Sequence, residues 1–203
     1  MKYLIAFILL FQSFGLFAQD YFNNLYNYGI GGSLAGNIFV VNDTLHILGL
    51  CVHPDDPSKL SLYYSKLDTL GEIIDTYFYK DSLYRNYNFG RTPNGIWVSK
   101  DENCFYFTGD TVDENSPMFF KVGFDGTLHF VKEYNFPNTF MTAFEQIAET
   151  NNGYLLFANR QSGDGSLGMT VVKVDLQGNL QWEKVFKADS GRDLRLGNAR
   201  KLS

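Results

Sequence analysis

"VVKVDLQGNLQWEKVF", Val171 to Phe186, reads as strand, turn, strand. "VVKV" is β-branched and extended, "DLQG" supplies turn formers with a late glycine, and "NLQWEKVF" resumes an extended run. The pattern occurs twice more upstream, as "FFKVGFDGTLHFVKEY" (Phe119 to Tyr134) and "YYSKLDTLGEIIDTYFY" (Tyr63 to Tyr79). In each copy a lysine precedes a glycine by five positions: Lys66 and Gly71, Lys121 and Gly126, Lys173 and Gly178. These glycines stand 55 and then 52 residues apart. Two positions past each is an apolar residue (Ile73, Leu128, Leu180), and eight past is an aromatic (Tyr79, Tyr134, Phe186). Even offsets share one face of a strand, so packing repeats along with the letters.

A second hairpin precedes the first in every copy: "IFVVNDTLHILG", "IWVSKDENCFYFTG" and "FEQIAETNNGYLLFAN". Aligning Asp43, Asn103 and Gly153 at the turns places Gly49, Gly109 and Asn159 six residues on, at one shared strand-end position. Asparagine tolerates positive φ and so substitutes for glycine in that alignment. Two hairpins per repeat give four antiparallel strands in 52 to 55 residues, the size of a propeller blade. The expected fold is all-β: consecutive four-stranded antiparallel blades forming an incomplete β-propeller of about three blades. Aromatics at 17% agree. "NTFMTAFEQIAET" has brief helical spacing, but its alignment with "NIFVV" and "GIWVS" predicts a strand near its end.

The expected organisation is a signal peptide over 1–18, a lead-in over 19–33, and blades over 34–85, 86–140 and 141–193, with 194–203 beginning a further blade. "MKYLIAFILLFQSFGLFAQD" has a charged start at Lys2, an apolar run from Leu4 to Phe11, and the small residue Ala18 before Gln19. That is a secretory signal peptide, interrupted at Gln12 and Ser13 and too short to hold the chain in a membrane. The first cysteine is Cys51, so lipid anchoring through a cysteine near the cleavage point is not expected. The localisation expected is secreted, extracellular or cell surface. A net charge of −5 and a single late basic stretch, "GRDLRLGNARK", disfavour nucleic acid as a partner. Cys51 and Cys104 fall at opposite ends of corresponding strands and are expected to pack as small hydrophobes.

The pattern "NNGYLLFAN…TVVKVDLQGNLQWEKVF" resembles the β-propeller-like repeats of large secreted bacterial proteins, of the kind often exported by the type IX secretion system. The resemblance runs from Asn37 to about Phe186 and is clearest through Gly153, Lys173, Asp175, Gly178 and Trp182. The earlier repeats depart from it: Asp75 and Phe130 stand where Trp182 does, and Gly123 where Asp175 does. The resemblance implies a surface or extracellular location and a non-catalytic scaffold. Three repeats followed by "GRDLRLGNARKLS" suggest an N-terminal fragment of a longer propeller.

No catalytic, cofactor-binding or metal-ligating residue is assigned from the sequence, and no cofactor is expected. His53 with Asp55 or Asp56 would need a ligand from another blade, so a polar loop is the better reading. "SGDGSLG" (Ser162 to Gly168) lacks the alternating ligands and closing Glu of a calcium loop. "GIGGSLAG" (Gly29 to Gly36) precedes a strand where a phosphate cradle precedes a helix. The repeated lysines Lys66, Lys121 and Lys173 are expected to cover neighbouring strands with their stems while their ammonium groups reach water. Trp97 and Trp182 are expected in the core. Phe39, Trp182 and Phe186 are expected on the open faces of the end blades, where they favour self-association.

The expected function is therefore a non-catalytic extracellular binding or scaffold module. Its partner would be an extracellular protein or a glycan, held by the variable segments Val52 to Lys59, Asp110 to Pro117 and Arg160 to Gly168. The alternative is a fragment of a propeller enzyme, a hydrolase or quinone-dependent dehydrogenase, whose site lies in missing blades.

Overall fold

A computed structural model describes residues 26, 28, 31–80, 87–89, 95–99, 101–111, 116–136, 139–140, 144–162 and 167–187. The expected signal peptide and the expected start of a further blade lie outside the described residues, as do 112–115 and 163–166 of two variable segments.

Each repeat begins from its turns. Between the third and fourth strands the backbone closes identically three times. Gly71, Gly126 and Gly178 have φ of 81°, 85° and 76°. Their amides donate to the carbonyls of Asp68, Gly123 and Asp175 at 3.1, 2.9 and 3.0 Å. That left-handed conformation costs an L side chain about 1–2 kcal/mol, which is why glycine recurs. A carboxylate fixes the same turn. Asp68 Oδ1 accepts from the Leu70 and Glu72 amides, and Asp175 Oδ1 from those of Gln177 and Asn179. Where Gly123 replaces that aspartate, Asp125 takes over, accepting from the Thr127 amide and hydroxyl.

These turns join strands into three antiparallel sheets, one per blade. The first contains β1 (Ser33–Val41), β2 (Thr44–His53), β3 (Asp56–Leu67) and β4 (Ile73–Tyr79), in that order. In the second, β5 (Tyr87–Phe89) and β6 (Ile96–Ser99) both pair with β7 (Cys104–Thr111), followed by β8 (Pro117–Gly123) and β9 (Leu128–Glu133). In the third, β10 (Thr139–Phe140) and β11 (Gln146–Thr150) both pair with β12 (Gly153–Ser162), followed by β13 (Leu167–Val174) and β14 (Leu180–Lys187). The first strand position is continuous only in the first blade. There a register shift between Ala35 and Asn37 marks the place where the other two blades insert residues. The protein is thus all-β, built of consecutive four-strand antiparallel blades. The third begins at Thr139, two residues ahead of the expected boundary at 141.

Pairing corrects one alignment made from sequence. Gly49 lies opposite Tyr63, Gly109 opposite Met118 and Ala158 opposite Thr170, each three residues before a repeated lysine. The third member of the set is therefore Ala158, not Asn159. All three sit in mid-strand, and Asn159 is not among the positive-φ residues. The slip arises because Gly153 is the first residue of β12, paired with Thr150, and not the last of the turn. A slip of one residue inverts every side chain on the strand.

Two hydrophobic clusters weld the stack. Leu48, Leu62, Tyr64 and Tyr79 of the first blade pack against Phe105, Phe107, Phe120 and Val122 of the second. Tyr106, Phe119 and Tyr134 of the second pack against Tyr154, Leu156, Val172 and Val174 of the third. Phe107 and Phe120 stack face to face with centroids 4.4 Å apart. A third cluster of Tyr28, Ile47, Cys51, Tyr63 and Leu67 lies on part of the first blade's face turned away from the second. Cys51 and Cys104 are free and buried in different clusters.

Candidate functional site

Every blade has a forward face, turned toward the next blade, and a rear face. Cross-strand pairing lays out one forward row per blade: Phe39–His46–Lys66–Asp75, then Trp97–Tyr106–Lys121–Phe130, then Ala148–Leu155–Lys173–Trp182. The repeated lysines lie at the same place in these rows. Their heads, expected to reach water, are each held by a partner. Lys66 Nζ pairs with Asp75 at 2.7 Å and Lys121 Nζ with Glu102 at 2.7 Å, and each lies over a ring, Tyr77 and Tyr106 respectively. Glu102 also accepts from the Tyr106 hydroxyl at 2.6 Å. These bonds, from Lys121 first and then Tyr106, hold its carboxyl down at about 2. Lys173 is 8% exposed and donates to Thr150 Oγ1, and burial lowers its pKa.

The inner end of each row packs on the rear face of the following blade. Phe39 stacks on His46 at 5.0 Å and meets Phe105 edge-on at 5.4 Å. His46 Nδ1 lies 2.7 Å from the Tyr64 hydroxyl, which donates to the Phe124 carbonyl of the second blade. Burial lowers the His46 pKa, which favours the neutral ring. In the next interface Trp97 packs against the shared cluster, and Tyr106 lies 4.4 Å from Tyr154. Phe39 is thus between blades rather than on an open face, as the sequence had led us to expect. The cause is alternation: its neighbours Ile38 and Val40 take the rear face and are 59% and 64% exposed.

A tyrosine latch closes each interface at its outer end. Tyr79 Oη donates to the Gly126 carbonyl at 2.9 Å, and Tyr134 Oη to that of Gly178 at 2.7 Å. These are the aromatics eight residues past the turn glycines. At the front of the stack Tyr26 Oη donates to the Gly71 carbonyl, although Tyr26 precedes the first blade. Tyr26 stacks with Tyr28 at 6.0 Å as Tyr134 does with Phe136 at 6.4 Å. The lead-in thus takes the place of a preceding blade's last-strand end. Sequence reasoning missed this role, although "YNY" at 26–28 and "YNF" at 134–136 carried the signal.

Two faces stay open among the described residues. The forward face of the third blade carries Leu155, Phe157, Trp182 and Phe186, and no buried cluster covers it. Trp182, expected in the core, is 46% exposed there. The rear face of the first blade holds a groove of about 560 Å³ beside Tyr26 and Tyr28, floored by Ile38, Val40, Leu45, Ile47 and Tyr63, with Asp43 and Asp68 at its rim. Gly49 makes room for Tyr63: a Cβ there would come within 2.5 Å of that ring.

The polar residues singled out from sequence serve local roles. His53 is buried and accepts from the Asp55 amide, and Val52 to Lys59 is mainly strand with a turn at Pro54–Asp55 rather than a variable loop. Ser33 to Gly36 of the glycine-rich lead-in belongs to β1. Among the described residues no three His, Cys, Asp or Glu side chains gather as metal ligands. No helix among them is long and apolar enough to cross a membrane.

No family model matches the sequence, and no curated protein is detectably similar to it. Solved structures are similar at low identity. A protein of Bacteroides ovatus ATCC 8483 assigned provisionally as a hydrolase is 12% identical, with a TM-score of 0.42 over 77% of this chain and 45% of its own. The Glu150Asp and Trp149Ala variants of the Synechocystis apocarotenoid oxygenase are 11% and 12% identical, with TM-scores of 0.39 and 0.37. They align over 70% and 76% of this chain and 35% and 39% of their own. The chain spans less than half the length of each.

Proposed function

We propose that this chain is a non-catalytic, β propeller-like repeat module of a secreted or cell-surface protein, of the kind exported by the type IX system, acting as a scaffold or binding region. One observation carries the reading. The polar side chains that recur from blade to blade are engaged in holding the stack. Asp68, Asp125 and Asp175 fix turns, Lys66 and Lys121 are ion-paired within their blades, and Tyr79 and Tyr134 latch one blade to the next. A recurring polar set used this way supports architecture rather than turnover. Recognition of an extracellular protein or glycan then falls to the open faces and loops, and self-association to the open forward face of the third blade. Residues 1–18 direct export, with cleavage after Ala18.

The test is recovery of the protein from the producing cells' medium. Mass spectrometry is expected to find an N-terminus at Gln19. The purified protein is expected to give no turnover with nitrophenyl esters and no dye reduction with added quinone cofactor and alcohols. Retention in the cytosol, or turnover in either assay, overturns the reading.

A further inference from the structure

The two internal interfaces show what fits a rear face. Behind the inner strands of the second blade, Ile96, Val98, Phe105 and Phe107 receive Phe39, and Phe124 of the neighbouring turn receives His46. Behind the third, Ile147, Tyr154 and Leu156 receive Trp97 and Tyr106. The equivalent positions on the first blade are Ile38, Val40, Leu45 and Ile47, and these floor the open groove. No described aromatic pair enters it from a preceding blade. Farther out on the same face the row turns polar, with Ser65 hydrogen-bonded to Thr76 where the second blade has Phe120 and Val131. The apolar floor therefore lies mainly on the two inner strands, bounded by Tyr63 of β3.

We propose that this groove is a docking site for a β-hairpin of a partner protein that presents two aromatic rings side by side on adjacent strands. The inference rests on the scaffold reading above and names the partner of that module. Continuity with the two internal interfaces specifies the rings. A second copy of the chain fits poorly. Its open forward face offers Ala148 and Leu155 where the other blades offer Phe39 with His46 and Trp97 with Tyr106.

The probe is a backbone-cyclised peptide of residues 37–48, which carries Phe39 and His46, with Ile38→Thr, Val40→Thr, Leu45→Thr and Ile47→Thr for solubility. It is titrated into the whole secreted chain by calorimetry. Saturable binding is expected, weakened about tenfold or more by Val40→Glu or by Ile38→Lys in the protein, and by Phe39→Ala in the probe. Both protein positions are exposed, and near-ultraviolet circular dichroism is expected to be unchanged. Leu155→Glu on the third blade is expected to leave binding intact. No saturable binding, or binding insensitive to both groove variants, overturns the proposal. So does a concentration-dependent dimer, seen by sedimentation, that both Val40→Glu and Leu155→Glu abolish, because the occupant is then a second copy. None of these outcomes touches export or turnover, so failure here is distinct from failure of the scaffold reading.

Discussion

Tyr134→Phe isolates the latch between the second and third blades. The substitution removes one oxygen and leaves the ring, which is 6% exposed among Phe136, Phe144 and its cluster neighbours. The lost bond runs 2.7 Å to the Gly178 carbonyl. A buried acceptor left without its donor costs about 1–3 kcal/mol, above the roughly 1 kcal/mol net value of an average hydrogen bond. For a domain of this size the melting temperature falls by about 2–4 °C per kcal/mol. Tyr79→Phe is expected to match it, since that hydroxyl is equally buried and reaches Gly126 at 2.9 Å. Tyr26→Phe is expected to cost less, because its bond to Gly71 is only partly buried. Phe186→Tyr supplies the control. Phe186 holds the equivalent position on the open face and is half-buried, so the added hydroxyl is expected to change stability by less than about 0.5 kcal/mol. Urea denaturation followed by near-ultraviolet circular dichroism measures all four. If Tyr134→Phe and Phe186→Tyr shift the midpoint equally, the latch carries no interface energy and the reasoning fails.

Gly126→Ala places a Cβ about 2.3 Å from the Tyr77 ring at φ 85°, whereas Gly178→Ala meets first the flexible stem of Lys132 at 2.8 Å. Both are expected to destabilise by at least the 1–2 kcal/mol or so of left-handed strain, with Gly126→Ala the worse, and thermal melts that reverse this order refute the turn assignment. Acid is expected to weaken the fold in two stages. His46 and Glu102 both have folded pKa values below their ordinary ones, so the native state binds fewer protons than the unfolded chain and stability rises with pH. The His46 share is present above its ordinary 6.5 and is lost as pH falls through its lowered value; the Glu102 share is lost between 4.5 and about 2. Glu102→Gln is expected to flatten the lower limb of a urea-midpoint profile, and an unchanged limb contradicts the pairing. Phe107→Ala, in the stack shared by the first two blades, is expected to cost about 3–5 kcal/mol by calorimetry or denaturant melt, and a cost below 1 kcal/mol would place that ring outside the interface.

What is local was legible in the letters. A turn needs one residue at positive φ and one carboxylate within reach of its amides, so Lys-x-Asp-x-x-Gly at Lys173 to Gly178 announces the same hairpin wherever it recurs. Three hairpins with a lysine five residues before the turn glycine, at a regular spacing and each behind another, determine four strands per blade and an all-β chain. Trp182 and Phe186 were also expected on an open face, and the register of β14 places them there, although Trp182 had equally been read as core. Which face each strand turns to which neighbour emerged from the stacking of the sheets. Asn159 and Ala158 are adjacent, and composition cannot choose between them. Pairing across from Thr170 does, because β13 fixes the register of β12 through backbone hydrogen bonds that depend on no side chain. Phe39 went inward and Val40 outward for the same reason. The latches were equally hidden: each tyrosine finds its acceptor more than 40 residues away, on another blade, at a carbonyl that every residue possesses. Tyr26 reads as lead-in until the Gly71 carbonyl is seen beneath its hydroxyl. Local φ preferences and side-chain periodicity are written in the letters, whereas contacts between blades are set by how the sheets stack.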